Sequence, residues 1–461
     1  MDLAGKIADF AVGLSLADLP PAVQEATKKL VLDTLGSALA GTSAQGLSTL
    51  HELVRQWGGS PESRTWAFGD KVPAPHAVWL NATAARARDI DEVHEKAVMH
   101  NLVSVLPVCL AAAELRGNVS GRELIPALVA GVDIMARLGL SLHNNPNLSG
   151  VSSTWQLGVF GACASAGRIL GLNREKMLNA LGIAYGQTAG NQQTIIEGTL
   201  LVRVMQGFIA QAGLMAALLA QRDIDGPHQV FEGKFGYFPV YHRNEYDPGV
   251  ISKDLGTAFE IINCSIKPYP CCKVIHSAVA GALEMKSQKH LPPEAIARVK
   301  VKVNKAAYNH VCHPLESKRR PLSIPDAQFS LPYCLAVALT KGDLFLSDFT
   351  PEALKDERVL GLSDKVEVVV DAEVERLSGR EIGFSVVEVT TNEQKTLTAR
   401  VEKVKGHPQN PMTMDEIKEK FQKCAALAVK ALSNDNLARL TDLAEHLEQC
   451  PDVALLAELM Q

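Results

Sequence analysis

The spacing of apolar residues along the first 260 positions predicts one helix after another. In "AVQEATKKLVLDTLGSALAG" the apolar positions recur at helical spacing, as at Val23, Ala26 and Leu30. Gly41 is expected to end this helix. "GRELIPALVAGVDIMARLGL", "LGVFGACASAGRILGL" and "GFIAQAGLMAALLAQRDIDGP" repeat the pattern and are rich in Ala and Gly. Because they are apolar nearly all round, they predict buried helices that pack closely.

After about residue 265 the pattern changes, and alternating apolar residues predict strands. In "AIARVKVKVNKA" the side chains of Val299, Val301 and Val303 lie on one side of an extended chain. "KVEVVVDAEV" and "REIGFSVVEVTTNEQKTLTARVEKVKG" have the same character, which predicts a small antiparallel sheet. Two prolines in "GHPQNPMTMDEIKEKF" then break the chain, and Thr413 is expected to cap a helix that contains Glu416.

The predicted fold class is therefore mostly α, with two domains. A large all-helical domain is built from both chain ends, residues 1–265 and 406–461. A smaller α+β domain, residues 266–405, is inserted between them. A chain of 461 residues is long enough for more than one core.

Composition and charge narrow the class of protein. Apolar residues make up 47% and charged residues 21%, the balance of a soluble globular protein. The net charge of −5 and the lack of a basic block argue against nucleic-acid binding, although a local basic site for a small anion stays possible. No charge-free stretch is long enough to span a membrane, and no signal peptide is evident. The nine cysteines form no CxxC pair, which predicts reduced thiols in the cytoplasm.

Residues 87–100, "ARDIDEVHEKAVMH", concentrate four acids and two histidines ahead of an apolar run. Three interpretations stay open: a metal site, an acid/base site and an ordinary charged loop. A metal site would use Asp89, Asp91 and His94 as ligands to a hard cation. A charged loop would pair Glu92 with Lys96 on the surface and leave the histidines solvated. The two histidines are six residues apart, so a helix would not place them together as a zinc-protease motif requires.

A second stretch, "SIKPYPCCKVIH", lies where the helical pattern gives way to strands. Lys267 and Lys273 flank Tyr269, and His276 follows. Cations, a phenol and an imidazole suit the binding of a di- or tricarboxylate and the transfer of a proton. The alternatives are a proline-stiffened linker, or a nucleophile among the two adjacent cysteines, for which no local partner lowers the pKa.

These segments together resemble the 2-methylcitrate dehydratase / cis-aconitate decarboxylase superfamily (MmgE/PrpD). The resemblance covers nearly the whole chain in the family's order. The blocks that carry it are "LVLDTLGSALAG", "ATAARARDIDEVHEKAVMHNLVSVLPVCLAAAEL", "GFIAQAGLMAALLAQRDIDGP" with "FEGKFGYF", "FEIINCSIKPYPCCKVIHSAVAGALEM", "RRPLSIPDAQFSLPYCLAVAL" and "KGHPQNPMTMDEIKEKF".

The resemblance implies a homodimer with a helical domain and a smaller α/β lid. It also implies a small polycarboxylate substrate and no metal or organic cofactor. Reactions in the family include elimination of water from 2-methylcitrate, decarboxylation of cis-aconitate and epimerisation of iminodisuccinate. For residues 87–100, the resemblance favours acid/base chemistry over a metal site.

By position, the resemblance also implies which residues form the site. The active-site candidates are Asp89, His100, Lys267, Tyr269, Lys273 and His276. The interval between Asp89 and His100 is one residue longer than the corresponding interval in the decarboxylases of the family.

Two departures from the family pattern affect the expected substrate. The family's His-Pro-Thr falls on Ser152, Ser153 and Thr154, so an active-site histidine is missing. A family lysine falls on Val202, with Arg203 beside it. We therefore expect a different anion, with fewer carboxylates, and count Ser152, Thr154 and Arg203 among the substrate-binding candidates.

The implied chemistry is removal of a proton beside a carboxylate, which needs a base and fixed donors for the developing charge. His100 is expected to move the proton, and Asp89 to orient His100. The candidates for holding substrate carboxylates are Lys267, Lys273 and Arg203. His276 or Tyr269 is expected to protonate the leaving group.

The resemblance favours a dehydratase. An epimerase, a decarboxylase and a catalytically silent homologue that binds a metabolite are the alternatives.

Overall fold

The computed structural model of the protein describes residues 2–143, 150–289, 291–378 and 382–461. The chain forms two units, each with its own internal contacts. The first unit contains the segments Met1–Ala87, Asp91–Ile266 and Thr413–Gln461, and the second contains Arg88–Ile90 and Lys267–Met412.

Helices dominate the first unit. Those that come before the second unit in the chain are α1 (Leu3–Gly13), α2 (Pro21–Thr42), α3 (Leu47–Trp57), α4 (Ala74–Arg86), α5 (Leu102–Arg116), α6 (Gly121–Leu140), α7 (Ser153–Ile169), α8 (Arg174–Tyr185), α9 (Gln193–Ile196), α10 (Leu201–Gln221), α11 (Tyr237–His242) and α12 (Pro248–Ser252). α10 packs against α4, α7 and α8, and α7 also packs against α5 and α6. The apolar segments noted in the sequence thus form the core helices of this unit.

One glycine has a different role from the one predicted. α2 runs through Gly41 instead of ending there. A Cβ atom at this position would lie 1.8 Å from the carbonyl oxygen of Ala84 in α4. Gly41 therefore allows α2 and α4 to pack closely.

Two short antiparallel ribbons tie loops of the first unit together. Strand β1 (Ser63–Arg64) pairs with β2 (Lys71–Val72), and β3 (Val93–His94) pairs with β4 (Cys264–Ser265). The second ribbon holds the acidic stretch after Asp91 against the end of this unit's central segment.

The second unit contains a four-stranded sheet and shorter helices. Its helices are α13 (His276–Lys289), α14 (Lys305–Ala307), α15 (Leu315–Arg319), α16 (Ile324–Gln328), α17 (Leu331–Lys341), α18 (Glu357–Ser363) and α19 (Ala372–Ser378). Its strands are β5 (Ile296–Val303), β6 (Val366–Val370), β7 (Val386–Thr391) and β8 (Thr396–Arg400). The strand order is β6–β5–β7–β8.

The sheet is mixed, whereas the sequence predicted an antiparallel one. β5 and β6 are parallel, and the β5–β7 and β7–β8 pairs are antiparallel. A parallel pair needs a long crossover, and the helices α14–α18 supply it. The predicted alternation of β5 is confirmed, since Val299, Val301 and Val303 are fully buried.

The strand predicted in "KVEVVVDAEV" ends earlier than expected. β6 stops at Val370 because the carboxylate of Asp371 accepts hydrogen bonds from the backbone N–H groups of Glu373 and Val374. This cap starts α19 where the alternation of apolar residues predicted more strand.

The last helices, α20 (Met414–Ala425), α21 (Asn434–Glu445) and α22 (Ala454–Leu459), belong to the first unit. The predicted capping box is confirmed, with Thr413 and Glu416 each accepting a backbone N–H of the other. Lys420 reaches the buried carboxylate of Asp33 in α2, with Nζ 2.5 Å from Oδ1.

Within the part of the chain that the structure describes, α10 alone is long and apolar enough to cross a membrane. Its apolar window is 56% buried inside the first unit, as in a core helix, and the helix contains the charged Arg203.

Candidate active site

The stretch that follows Asp91 forms a tight, mostly buried loop in the first unit. β3 pairs with β4, and the chain turns back so that His94 N–H donates to the carbonyl of Met99 at 2.9 Å. The turn places Val98 at φ +51°, a left-handed conformation that is rare for a β-branched residue. The sequence indicated that this interval is one residue longer than in the decarboxylases, and the strained turn lies within it.

His100 follows this loop and contacts a buried aspartate. Its Nδ1 atom is 2.7 Å from Oδ2 of Asp91 and 2.8 Å from the carbonyl oxygen of Glu92. Because a carbonyl oxygen and a carboxylate oxygen both accept, Nδ1 is the ring nitrogen that carries a proton, and Nε2 is the nitrogen through which the ring can take up another. The His100 side chain is 16% exposed and the Asp91 side chain 0%. The solvent-reachable imidazole is therefore held by a carboxylate that water does not reach.

Arg86 supports Asp91 on its other side. Its Nη1 atom lies 3.1 Å from Oδ1 of Asp91 and donates a hydrogen bond to it. Asp91 thus lies between Arg86, at the end of α4, and His100, just before α5, and contacts both. The sequence hypothesis assigned the orienting carboxylate to Asp89, but the carboxylate that contacts His100 is that of Asp91.

Glu92 is fully buried and caps the helix that begins after His100. Its Oε1 atom accepts a hydrogen bond from the backbone N–H of Asn101 at 2.6 Å, and a shorter one from Leu102. Burial raises the pKa of Glu92 well above its usual value, and the negative charge of Asp91 raises it further. The interpretation of this stretch as a charged surface loop is therefore wrong, because Asp91, Glu92 and Glu95 all lie in the interior.

His94 is also buried and has its own partner. Its Nε2 atom is 3.1 Å from Oε2 of Glu260, and its Nδ1 atom accepts the N–H of Ala97. This hydrogen bond with His94 is the main cause that lowers the pKa of Glu260. Glu260 N–H in turn donates to Asp133 at 2.6 Å. His94 thus anchors the loop and is not a solvated side chain.

The residues that could hold a metal ion differ from those predicted from the sequence. Among the described residues, Asp91, Glu92 and His100 are the group whose possible ligand atoms lie within 4.8 Å of one another. Two of these side chains are already engaged, Asp91 by the cationic Arg86 and Glu92 by two backbone N–H groups. This arrangement favours a hydrogen-bonded acid/base group.

The other site residues predicted from the sequence for this part of the chain also lie in the first unit. Thr154, in the first turn of α7, accepts the backbone N–H of His100 at 3.1 Å. Ser152 is the N-cap residue of α7 and is 7% exposed. Arg203 is buried in α10, and its Nη1 atom donates to the carbonyl of Gln45. The structure therefore brings Thr154 to His100.

In the second unit, Asp89 and Lys267 form a buried pair. The Nζ atom of Lys267 is 3.3 Å from Oδ2 of Asp89 and donates to the Asp89 carbonyl at 3.0 Å. Lys267 is 1% exposed and Asp89 4%. Asp89 has φ +52°, a left-handed conformation that aspartate tolerates. Gln328 supports this segment by donating to the carbonyls of Arg88 and Pro270.

The remaining candidates of the second unit are close to one another in sequence and space. The rings of Tyr269 and His276 have centroids 5.2 Å apart, and His276 is fully buried with Nε2 3.1 Å from the Cys271 carbonyl. Burial raises the pKa of Tyr269 to about 12, so the phenol keeps its proton near neutral pH. Lys273 is 8% exposed. Burial raises the pKa of Cys271 well above its usual value, which argues against the nucleophile alternative.

His310 is a residue of this unit that the sequence did not single out. It lies in a π-helical turn, Tyr308–Cys312, and its ring meets Phe329 edge-on at 5.6 Å. Burial lowers the pKa of His310, Lys318 lowers it further, and Asp89 raises it. No motif marks this histidine, although π-turns are frequent at functional sites.

Comparison with known proteins identifies the family. The MmgE/PrpD N-terminal domain matches residues 5–248, and the MmgE/PrpD C-terminal domain matches residues 269–446. Together they cover most of the chain, including the loop with His100 and the segment from Tyr269 to His276.

Full-length relatives have related names. The chain is 27% identical over 482 residues to a cis-aconitate decarboxylase-like protein oryM of Aspergillus oryzae, with 100% of this chain and 97% of the relative covered. It is 28% identical to a cis-aconitate decarboxylase of Aspergillus terreus, covering 99% and 96%. It is 26% identical to the cis-aconitate decarboxylase of Homo sapiens, covering 97% and 92%. With both domains matched in order, the chain belongs to the MmgE/PrpD family.

Proposed function

We propose that the protein is a lyase that acts on a small di- or tricarboxylate by moving a proton at the carbon beside a carboxylate. The observation that carries the proposal is the contact of 2.7 Å between the buried Asp91 and the partly exposed His100. A histidine oriented by a buried carboxylate is a common arrangement for a general base.

In the proposed step, Nε2 of His100 takes a proton from the substrate carbon. The C–H electron pair moves into the adjacent carboxylate to give an enediolate-like anion. Asp91 stabilises the imidazolium that forms, because its buried carboxylate lies 2.7 Å from Nδ1. The pair then returns to form a carbon–carbon double bond as the leaving group departs from the neighbouring carbon with a proton from an acid.

The first turn of α7 is the proposed place for one substrate carboxylate in the first unit. Thr154 of this turn accepts the backbone N–H of His100. Ser152 occupies the N-cap position of α7, but its side chain makes no capping hydrogen bond to the helix. The positive end of a helix dipole favours an anion there. The assignments of Arg203, Lys267 and Lys273 to carboxylate binding, and of Tyr269 or His276 to proton donation, stay predictions.

Two leaving groups are candidates. Elimination of water is the reaction that the family resemblance favours. Loss of CO2 is the second candidate, supported by the full-length relatives that are named cis-aconitate decarboxylases. In that reaction the carbon–carboxylate bond breaks and leaves its electron pair on the substrate carbon framework, and a histidine that has taken a proton from solvent delivers it to carbon.

A turnover assay with a panel of substrates tests this function. Chelator-treated protein is incubated with small hydroxy-, amino- and unsaturated di- and tricarboxylates, and products are followed by proton NMR and by CO2 release. We expect one compound to give an alkene with water lost, or CO2 with a decarboxylated product. His100→Ala should abolish the reaction, and His228→Ala, at an exposed histidine, should not. A product epimer without elimination would replace the lyase by an epimerase, and no turnover would favour a silent homologue.

We also propose that the protein is a homodimer that uses α10. Partly exposed apolar side chains follow one side of this helix at alternating intervals of four and three residues: Leu201, Met205, Phe208, Ala212 and Met215. Such spacing is typical of a seam between paired helices, and α10 is about 31 Å long. A cytoplasmic location stays a prediction, supported by nine cysteines of which none forms a disulfide bond among the described residues.

A further inference from the structure

Glu92 contacts both the backbone and the ring of the proposed base, although nothing in the sequence marked it as part of the site. We propose that Glu92 is a positioning residue, which fixes the backbone after His100 with its carboxylate and the His100 ring with its carbonyl oxygen. This inference rests on the proposed function only for its effect on turnover.

The first contact is made by the carboxylate. One oxygen, Oε1, accepts the backbone N–H groups of Asn101 and Leu102, which immediately follow His100. These are orphan donors at the start of α5, and the Asn101 side chain makes no capping bond of its own. Glu92 therefore replaces the missing cap from nine and ten residues away and fixes where the helix begins.

The second contact is made by the Glu92 backbone. Its carbonyl oxygen lies 2.8 Å from Nδ1 of His100, beside the carboxylate of Asp91. A carbonyl accepts in every protonation state, so it holds the proton on Nδ1 whether or not Asp91 is charged. One residue thus sets both the position of the His100 Cα atom and the orientation of its ring.

The surroundings of Glu92 explain why an acceptor is needed more than a charge. Glu92 is fully buried, and its neighbours include the acids Asp91 and Asp33. Lys420 pairs with Asp33, and Arg86 pairs with Asp91. Since the carbonyl oxygen of a neutral carboxyl or amide accepts the same two N–H groups, Gln should replace Glu92 and an apolar side chain should not.

Two substitutions of similar size separate these cases. Glu92→Gln keeps the acceptor, and Glu92→Met removes it while filling the same volume. Glu95→Met is the matched control, because Glu95 is a buried acid of the same loop whose carboxylate accepts from Ser265.

Hydrogen–deuterium exchange followed by mass spectrometry, over a peptide that covers residues 99–104, tests the positioning role without any substrate. We expect amides 101 and 102 to exchange at least about tenfold faster in Glu92→Met and at nearly the wild-type rate in Glu92→Gln and Glu95→Met. Unchanged protection in Glu92→Met, or equal loss in Glu95→Met, would overturn the proposal.

Turnover of the substrate found in the panel assay gives the second measurement. Glu92→Met should lower kcat by about 100-fold with little change in KM, and Glu92→Gln should restore most of kcat. A Glu92→Gln enzyme as slow as Glu92→Met would contradict a positioning role. If the wild type turns over nothing, the proposed function fails, and the exchange experiment alone still decides whether Glu92 holds this backbone.

Discussion

At the scale of residues, burial separates the roles of the three groups around His100. Asp91 and Glu92 are fully buried, and the His100 side chain is 16% exposed. A buried acid can orient and stabilise a base, and a partly exposed imidazole can meet a substrate. Of these three neighbouring ionisable side chains, only that of His100 therefore reaches solvent.

The sequence identified His100 as a candidate base and assigned its orientation to Asp89, whereas the carboxylate in contact with His100 is that of Asp91. Asp89 and Asp91 are two residues apart, and either could serve by composition. The left-handed conformation of Asp89 belongs to the short segment Arg88–Ile90, which contributes to the second unit, where Asp89 pairs with Lys267. No local pattern predicts such a change of unit, because it depends on contacts with residues nearly 180 positions away.

The raised pKa of Glu92 predicts how one substitution changes stability with pH. An acid whose pKa is raised by folding binds its proton more tightly in the native state. Its contribution is thus most favourable below its unfolded pKa of about 4.3 and is lost progressively as the pH rises above that value. Glu92→Gln lacks this loss, so its stability relative to wild type should be higher at pH 8 than at pH 5.

Thermal or denaturant unfolding of both proteins at the two pH values measures this difference. The comparison at pH 5 is the internal reference, since pH 5 lies close to the unfolded pKa and the loss of stability there is smaller than at pH 8. A stability difference that stays constant, or that favours the wild type more strongly at pH 8, would contradict a buried Glu92 with a raised pKa.

At the scale of elements, the helices were predictable because long apolar segments with helical spacing have few alternatives. The close approach that Gly41 allows, and the parallel pairing of β5 with β6, were not predictable. Both depend on a partner distant in sequence, namely α4 for the glycine and the crossover through α14–α18 for the strand. The cap formed by Asp371 shows that one side chain can end a strand that the apolar pattern would extend.

The exposed side of α10 gives an element-scale prediction about assembly. Phe208 is 44% exposed and stacks on Trp79 at 5.5 Å, and Trp79 stacks on the exposed Trp57. In a dimer that buries this side, Phe208→Glu would place a charge in an apolar contact. We expect the wild type to have twice the chain mass of 49.6 kDa in light scattering after gel filtration, and the variant to shift toward the monomer.

Leu322→Glu is the control for that experiment, because Leu322 is 97% exposed in the second unit. It should leave the mass unchanged. A monomeric wild type would contradict the dimer, and a Phe208→Glu protein that stays fully dimeric would place the interface elsewhere.

At the scale of the whole molecule, family membership restricts the chemistry more than the substrate. Both family domains match, yet Ser152 and Val202 stand where the sequence comparison expected a histidine and a lysine. Thr154, the third residue of that block, accepts the backbone N–H of His100. Membership of the family could be predicted from the sequence, because its blocks occur in the family's order. The substrate could not be predicted, because it depends on a few side chains, such as Ser152 and Val202, that differ from the family pattern.

In the proposed mechanism His100, oriented by Asp91, moves a proton beside a carboxylate. The most direct test is the rate at which chelator-treated protein exchanges that substrate proton for deuterium in D2O, compared among wild type, His100→Ala and Asp91→Asn. We expect exchange by the wild type, none by His100→Ala, and a rate about 100-fold or more below wild type for Asp91→Asn. Exchange by Asp91→Asn at the wild-type rate, or exchange that requires added metal, would contradict the account.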